Sequence, residues 1–429
     1  MIHALLLLCA LQSPPVAPPA TPSAKDDRRS AARTWTVEPG GPLASLGAAV
    51  RVAAPHDTIR IRPGRYREPT VVVDRPLTLL GDEGAILDGE GSRALLVVRA
   101  DSVTVAGLSF FDTGISFTED RAALLVEKAR FCSIERNDFR NTFFGIYLAN
   151  VGDCVVSGNT LTADAERETR AGNAIHLWYS LRVQITDNVI TGHRDGIYFE
   201  FVEQSRVERN DSSGNLRYGL HFMFSNGCQY RGNRFAHNGA GVAVMYTRDV
   251  VLEDNDFDHN RGLATFGLLL KDITDTRIAG NRFRENSVAL HAEGANRVEI
   301  RENEFLANGW AVQLMANSED SRFENNNFAG NSFDVSTNSR RTRSFFAGNY
   351  WDRYHGYDLD RDGVGDVPFR PVRLFALLAE QNRPLLLLHR SVLVTLLDVA
   401  EEVLPVLTPA NLVDVQPALE PKATPWRSS

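Results

Sequence analysis

The amino-acid sequence predicts an all-β fold, a right-handed parallel β-helix whose coils are about 22 residues long. An Asn recurs ten times between residues 131 and 351, at intervals of 22 to 29 residues. Nine of the ten residues that lie two places after these markers are large and apolar, and most repeats also carry a short run led by Gly or Ala. Apolar and variable residues alternate in these runs, which indicates a strand with one buried face. The markers are Asn137, Asn159, Asn188, Asn210, Asn233, Asn255, Asn281, Asn303, Asn326 and Asn349.

The repeated Gly and Asn argue against a helical repeat, because both are poor in helix interiors and no period of 3.6 is present. Asn tolerates the left-handed turn conformation, and stacked Asn side chains can hydrogen-bond along a column. One coil cannot bury its own face, so the stack of coils, about 4.8 Å apart, forms the core. In each Gly-led run, residues one and three places after the Gly should point inward, and those two and four places after it should point outward.

The start of the chain predicts export. Residues 1–24 join a short apolar run to a Pro/Ala/Ser-rich stretch, which is typical of a secretory signal with cleavage near Ala20 or Ala24. Residues 25–34 then form a linker. The net charge of −8 and the lack of a basic block argue against a nucleic-acid partner.

The β-helix is predicted for residues 35–351, with an N-terminal cap. Residues 42–53 are helical in composition, and a helix there would cover the open end of the solenoid and hide its edge from pairing. Three cysteines, Cys132, Cys154 and Cys228, each lie five residues before a marker, as expected for buried inert thiols. Cys132 and Cys154 occupy successive coils and could also reach disulfide distance, which the sequence does not decide.

An Asp-rich loop follows at residues 352–371. Carboxylates at alternate positions closed by Gly363 form the front of a calcium loop of the EF-hand type, but its twelfth position holds Phe369 in place of Glu. Two interpretations stay open: a bound calcium ion that staples the chain, or a solvated turn without an ion. The candidate ligands are Asp358, Asp360, Asp362 and Asp366.

Residues 372–429 change character and predict a C-terminal helical docking tail. The stretch 383–405 is strongly apolar but contains charges, which make it a poor membrane span. An amphipathic helix that docks on a partner fits this pattern. The alternative is that the stretch packs back onto the solenoid.

The chain carries four motifs that recur in one family: HLWYS at 176–180, GLHFMFS at 219–225, AVMYT at 243–247 and GNYWDRYHGYDLDRDGVGDVPFRP at 348–371. Together they resemble the NosD family, whose members are periplasmic, copper-binding accessory proteins of nitrous oxide reductase maturation. The resemblance covers roughly residues 35–410. It implies a periplasmic protein that partners an ABC permease and ATPase, associates with the membrane through the permease, and helps a copper chaperone to supply nitrous oxide reductase.

Two classes of function follow from the outward positions. The first is a binding scaffold for copper delivery and docking, without catalysis. The second is a carbohydrate-active β-helix enzyme, a polysaccharide lyase or epimerase, which needs carboxylates and a base clustered on one face. The outward residues favour the first because acids are sparse among them. They are Tyr147, His176, Trp178, Tyr198, Glu200, His221, Met223, Met245, Lys271, His291, Glu293, Gln313 and Met315.

The methionines predict a copper site. Apart from the initiator, the chain has three, and all fall four places after a leading Gly or Ala, in one outward column. Met223 and Met245 belong to successive coils, and His221 projects from the same strand as Met223. Thioethers and imidazole form a soft set that suits Cu(I). We expect His221, Met223 and Met245 to bind it, with His176 about 10 Å away; an apolar docking patch without metal is the alternative, which Met315 favours.

Overall fold

The structure, a computed structural model, describes residues 32–116, 121–262, 265–339, 343–389, 391–404 and 412–426. The predicted signal, residues 1–24, and most of the linker lie outside these ranges. The fold is the predicted right-handed parallel β-helix. Each coil contributes strands to three faces, and the paired strands of successive coils run parallel.

The first face contains the strands that precede the Asn markers. They are β1 (Thr34–Val37), β2 (Thr58–Ile61), β5 (Thr78–Gly81), β8 (Thr104–Ala106), β11 (Ser133–Glu135), β14 (Val155–Ser157), β17 (Gln184–Thr186), β20 (Arg206–Glu208), β23 (Gln229–Arg231), β26 (Val251–Glu253), β28 (Phe266–Ala279), β30 (Val288–Arg301), β33 (Arg322–Glu324) and β36 (Phe345–Ala347).

The second face contains the Gly-led runs. The long strands β28 and β30 begin in this face and run on into the first face. The other strands of the second face are β4 (Val71–Val73), β7 (Leu96–Val98), β10 (Ala122–Glu127), β13 (Phe144–Ala149), β16 (Ile175–Trp178), β19 (Asp195–Glu200), β22 (Tyr218–Met223), β25 (Ala240–Met245), β32 (Trp310–Leu314) and β35 (Phe333–Thr337).

The third face follows the Asn markers. Its strands are β3 (Gly64–Tyr66), β6 (Ala85–Asp88), β9 (Ser109–Phe111), β12 (Asp138–Arg140), β15 (Thr160–Thr162), β18 (Val189–Thr191), β21 (Asp211–Ser213), β24 (Arg234–Ala236), β27 (Asp256–Asp258), β29 (Arg282–Arg284), β31 (Glu304–Leu306), β34 (Asn327–Ala329) and β37 (Tyr350–Trp351). Short 3₁₀ turns lie at Glu168–Arg170 and Arg383–Leu388.

The ten marker Asn residues form a buried ladder between the first and third faces. In the first nine, Nδ2 donates to the Oδ1 of the next marker at 2.9 to 3.0 Å, and the backbone N–H donates to the same oxygen. The ladder therefore satisfies polar groups that burial would otherwise penalise. The left-handed conformation belongs to the preceding residue instead, for example Arg136, Asp187 or Asn325. Our explanation of the Asn column by its turn conformation was therefore wrong, and the hydrogen-bond explanation holds.

A second Asn ladder lies between the third and second faces, five residues after the markers. Each backbone N–H donates to the Oδ1 of the next member at 2.9 to 3.1 Å. Two ladders make each coil depend on its neighbours for its turn hydrogen bonds, which explains the regular register of the stack. The members are Asn215, Asn238, Asn260, Asn286, Asn308 and Asn331.

Stacked aromatic rings fill the core behind the third face. Phe257, Phe283, Phe305, Phe328 and Trp351 lie one above another with ring centroids 4.1 to 4.9 Å apart. All are buried, and truncating one such Phe to Ala should cost about 3–5 kcal/mol.

The cap and the cysteines occupy the predicted positions. Helix α1 (Leu46–Val52) begins at Ser45, whose hydroxyl accepts from the N–H of Ala48, and buries Leu46 against the first coils. Cys132 and Cys154 are free, buried thiols, so no disulfide joins these coils.

The described residues beyond 371 divide into three parts. Helix α2 (Leu374–Gln381) packs back onto the solenoid, where Phe375 lies 6.0 Å from Phe333 between ring centroids. Helix α3 (Val392–Val403) turns an apolar face outward. Residues 412–426 return along the β-helix, so this segment is part of the solenoid wall. None of the helices in the described ranges is long and apolar enough to cross a bilayer.

Candidate metal centre

The predicted copper ligands lie in two outward columns on the second face. Strand β22 carries both His221 and Met223, with inward-pointing Leu220 and Phe222 fully buried on either side of His221. The inside–outside frame from the sequence therefore holds on this strand. The first column reads Tyr147, His176, Tyr198, His221 and Ala243; the second reads Trp178, Glu200, Met223, Met245 and Lys271.

Met223 and Met245 are register partners on β22 and β25, and both side chains are half-buried. Successive strands lie about 4.8 Å apart, so both sulfurs can reach a common ion. Glu200 precedes the pair and Lys271 follows it in the same column. Met315 lies three coils beyond Met245, outside the reach of this pair.

His221 is a buried imidazole with one unsatisfied nitrogen. Its Nδ1 lies 3.3 Å from Nη2 of Arg217, and a guanidinium only donates, so Nδ1 accepts and Nε2 carries the proton. Within the described residues Nε2 has no hydrogen-bond partner. Arg217 itself forms a bidentate pair with buried Asp195 at 3.0 and 2.8 Å. A metal at Nε2 therefore requires the other neutral tautomer, in which the proton sits on Nδ1 and Nδ1 no longer accepts from Arg217.

The imidazole of His221 stays neutral over a wide pH range. Burial among the rings of Tyr198 and Tyr218, together with the nearby charges of Arg217 and Arg194, lowers the pKa of His221 to about 4. The side chain is 7% exposed. A neutral imidazole is the form that binds metals.

His176 is held apart from His221. The ring of Tyr198 lies between the two in the column and stacks on His176 at 4.7 Å. Asn173 donates its amide to Nδ1 of His176 at 3.0 Å, and Arg194 fixes that amide by donating to its oxygen. Burial lowers the pKa of His176 to about 3. The structure thus places His221, Met223 and Met245 on two neighbouring strands of one face, and it leaves His176 behind an aromatic ring.

Sequence reasoning missed an aromatic ladder beside the methionines. Four aromatic residues follow directly after Trp178, Glu200, Met223 and Met245, and their rings stack at 4.6 to 5.2 Å along a groove of 460 Å³. All four have positive φ, which bulky residues rarely adopt. The signal was present in the sequence as a constant offset of five from the leading Gly or Ala. The ladder consists of Tyr179, Phe201, Phe224 and Tyr246.

The Asp-rich loop brings three of its four predicted ligands together. Carboxylate oxygens of Asp358, Asp360 and Asp362 lie within 4.8 Å of one another. The negative charge of Asp362 raises the pKa of Asp360, whereas backbone N–H groups lower the pKa of Asp358. Asp366 instead accepts from the N–H of Leu359 at 2.7 Å. Oxygen donors of this kind suit calcium.

The donor set of the second face fits a soft metal ion. Two thioethers and a neutral imidazole with an unsatisfied buried nitrogen are the ligands that Cu(I) prefers, and calcium or magnesium would not bind them. Three ligands also leave one position for a partner protein. The fold and this face define a parallel β-helix with a soft-donor surface.

Comparison with known proteins gives the family. A family profile described as "Periplasmic copper-binding protein (NosD)" matches residues 163–356. A "Probable ABC transporter binding protein NosD" of Pseudomonas aeruginosa is 31% identical across 80% of this chain and 86% of the relative. A protein of the same description from Stutzerimonas stutzeri is 27% identical across 73% and 75%. The chain belongs to the NosD family.

Solved structures share the fold at low sequence identity. The A-module of the mannuronan C-5 epimerase AlgE6 from Azotobacter vinelandii is 14% identical, with a TM-score of 0.50 over 74% of this chain and 89% of that one. The catalytic unit of a GH87 α-1,3-glucanase from Streptomyces thermodiastaticus is 16% identical, with a TM-score of 0.56 over 76% and 66%. At this identity the likeness shows a common β-helix alone.

Proposed function

We propose that this protein is the periplasmic component of an ABC transporter complex and that it receives and passes on Cu(I) during nitrous oxide reductase maturation. Membership of a family described as periplasmic and copper-binding supports the role, as do relatives named as transporter binding proteins. The observation that carries it is the set of His221, Met223 and Met245 on one strand pair of the second face. A copper chaperone would load this site, and nitrous oxide reductase would receive the ion.

Docking on the permease is assigned to helix α3. Its outward face is apolar along almost the whole helix, although α2 beside it already packs on the solenoid. Contact with the permease and its ATPase would associate the protein with the membrane. The exposed residues are Val392, Leu393, Leu396, Val399 and Val403.

The second face does not favour a carbohydrate-active enzyme. Its outward acids Glu200 and Glu293 are separated by Met223, Met245 and Lys271 in their column, so they do not form the paired carboxylates that lyase or glycosidase chemistry needs. Incubation with uronate polymers tests this alternative, and unsaturated products would revive it.

A competition titration with a Cu(I) chelator tests the copper site. The variant Met223→Leu with Met245→Leu keeps the apolar volume and removes both sulfurs, and His221→Ala removes the imidazole. Both should weaken Cu(I) binding at least tenfold. Met315→Leu is the matched control, because it removes a thioether from the same column three coils away. Unchanged affinity in the first two variants would leave only an apolar docking patch.

The pH dependence provides an independent check. Because burial lowers the pKa of His221 to about 4, affinity should stay flat from pH 8 to pH 5. An ordinary His would lose affinity below about pH 6.5, as its imidazole gains a proton. A tenfold drop between pH 7 and pH 5.5 that persists in His221→Ala would show that His221 is not the ligand.

A further inference from the structure

A second group of metal-binding side chains lies at the end of the third face, away from the copper candidates. His237, His259 and Glu285 directly follow β24, β27 and β29, so they occupy one column on three successive coils. All three have left-handed backbones, with φ of 54°, 52° and 52°. Residues with long side chains adopt this unfavourable conformation here, whereas Gly fills the equivalent turn at Gly192 and Gly214.

His259 is held in one orientation by a buried carboxylate. Its Nδ1 lies 2.6 Å from Oδ1 of Asp258, so Nδ1 carries a proton and donates it. Asp258 is buried and is itself fixed by Arg284, which donates to both of its oxygens at 2.9 and 3.0 Å. A carboxylate that orients a histidine in this way is the usual support of a metal-binding imidazole.

The other nitrogen of His259 faces a second carboxylate. Nε2 lies 3.1 Å from Oε2 of Glu285. With Nδ1 protonated, a neutral ring would place the lone pair of Nε2 against the oxygen lone pairs of Glu285, which repel each other. A cation must therefore lie between them, either a proton on Nε2 or a metal ion. The 3.1 Å separation is also a common distance between two ligand atoms of one metal ion, given bonds of about 2.0–2.2 Å.

His237 lies next to His259, on the coil before it. Its ring centroid lies 5.2 Å from that of His259, and donor atoms of His237, Asp258 and His259 lie within 4.8 Å of one another. His237 is exposed, so its side chain can rotate toward the ion. Arg261 competes for the site because its guanidinium contacts the carboxylate of Glu285.

We propose that His237, His259 and Glu285 bind a divalent transition-metal ion, Zn²⁺ or Cu²⁺, with Asp258 and Arg284 positioning His259. Two imidazoles and a carboxylate form a borderline set that suits these ions and differs from the soft thioether set of the second face. The chain would thus carry two sites of different chemistry on different faces. This inference does not depend on the Cu(I) proposal.

Zn²⁺ binding by calorimetry and Cu²⁺ binding by electron paramagnetic resonance test the site, on full-length mature protein without a His tag. We expect one Zn²⁺ per chain and nitrogen hyperfine coupling from Cu²⁺. His237→Ala and His259→Ala should each weaken binding at least tenfold, and Asp258→Asn about tenfold through loss of orientation. His56→Ala is the matched control, since His56 is an exposed histidine with a φ of 70° on the N-terminal coils.

Arg261→Gln separates the metal site from a plain ion-pair network. Removing the guanidinium frees Glu285, so metal affinity should rise severalfold, whereas an ion-pair network has no reason to gain metal affinity. Circular dichroism of each variant shows that the β-helix is intact. Equal Zn²⁺ and Cu²⁺ binding by wild type and by the His237→Ala, His259→Ala double variant would overturn the proposal, as would no binding by wild type.

Discussion

Substituting Asp414 should open the C-terminal end of the β-helix. The Asn ladder ends at Asn349, and no further marker Asn follows to accept its hydrogen bonds. Asp414 arrives from the returning segment 412–426 and takes this place, because its Oδ2 accepts from both the backbone N–H and the side-chain amide of Asn349 at 3.2 and 2.8 Å. The same oxygen accepts from the indole of Trp351 at 3.0 Å. One fully buried carboxylate thus terminates the ladder.

The magnitude follows from the donors that the substitution leaves behind. Asp414→Ala leaves three buried N–H groups without an acceptor, and each costs about 1–3 kcal/mol. Because the three losses partly compensate one another, we expect the free energy of unfolding to fall by about 3–6 kcal/mol in total. Each coil of a solenoid is stabilised mainly by its neighbours, so this loss should fall on the last coils before the rest unfolds.

Hydrogen exchange measured by mass spectrometry reports this loss locally. Peptides covering β36 and β37 should exchange roughly a hundredfold faster or more in Asp414→Ala, since about 1.4 kcal/mol corresponds to a factor of ten, while β11 and β14 should be unchanged. Asp414→Asn is the matched control. Its amide oxygen can still accept all three bonds, and only the bond from the N–H of Gln416 at 3.1 Å is at risk. Unchanged exchange in β36 and β37 of Asp414→Ala would refute the capping role.

Three further predictions address the tail, the Asp-rich loop and pH. Leu396 and Val403 are 62% and 72% exposed, and Leu396→Asp with Val403→Asp should abolish co-purification with the permease while leaving the β-rich circular dichroism unchanged. Full co-purification would show that another surface docks on the permease. Calcium should raise the melting temperature and chelator lower it, and Asp360→Ala with Asp362→Ala should remove both responses; indifference of the wild type would exclude the ion. Burial raises the pKa of Asp334 to about 6, so the folded chain keeps a proton that the unfolded chain releases near pH 4, and stability falls as pH rises between these values. Asp334→Asn should remove that pH dependence. At neutral pH it should raise the free energy of unfolding, measured with urea, by up to about 3 kcal/mol.

Most of the fold could be predicted from the coil pattern, because the residues that recur at equal offsets also form the hydrogen bonds between coils. The marker Asn, the apolar residue two places later and the alternating run each occupy one column, so the strands of the three faces follow from their offsets. The second Asn ladder has the same regularity, at an offset of five from the markers, and was overlooked because Asn in a turn is ordinarily explained by local conformation. The return of residues 412–426 could not be predicted, since it depends on Asp414 meeting Asn349 across 65 residues.

The candidate metal ligands could be predicted only in part, because the sequence does not show where side chains point or which charges pair. Offsets place His221, Met223 and Met245 on one surface, and the structure keeps them there. Offsets do not reveal that Tyr198 separates His176 from His221, because the interposed ring is visible only once the strands are in register. The His237 column was missed because its members come directly after the third-face strands, whereas the candidate ligands were sought in the Gly-led runs of the second face.

A parallel solenoid is well suited to hold metal ligands, because equal offsets on successive coils give a fixed spacing of about 4.8 Å. That spacing exceeds the roughly 3–4 Å between donor atoms around a single ion with bonds of about 2.0–2.3 Å. Ligands stacked in a column must therefore be long enough to converge, and Met, His and Glu have that length, whereas Asp and Ser do not. The Met223 and Met245 pair and the His237, His259 and Glu285 column both satisfy this condition. Shortening Glu285 to Asp should consequently weaken Zn²⁺ binding about as much as Glu285→Ala, because the shorter carboxylate no longer spans the distance to Nε2 of His259.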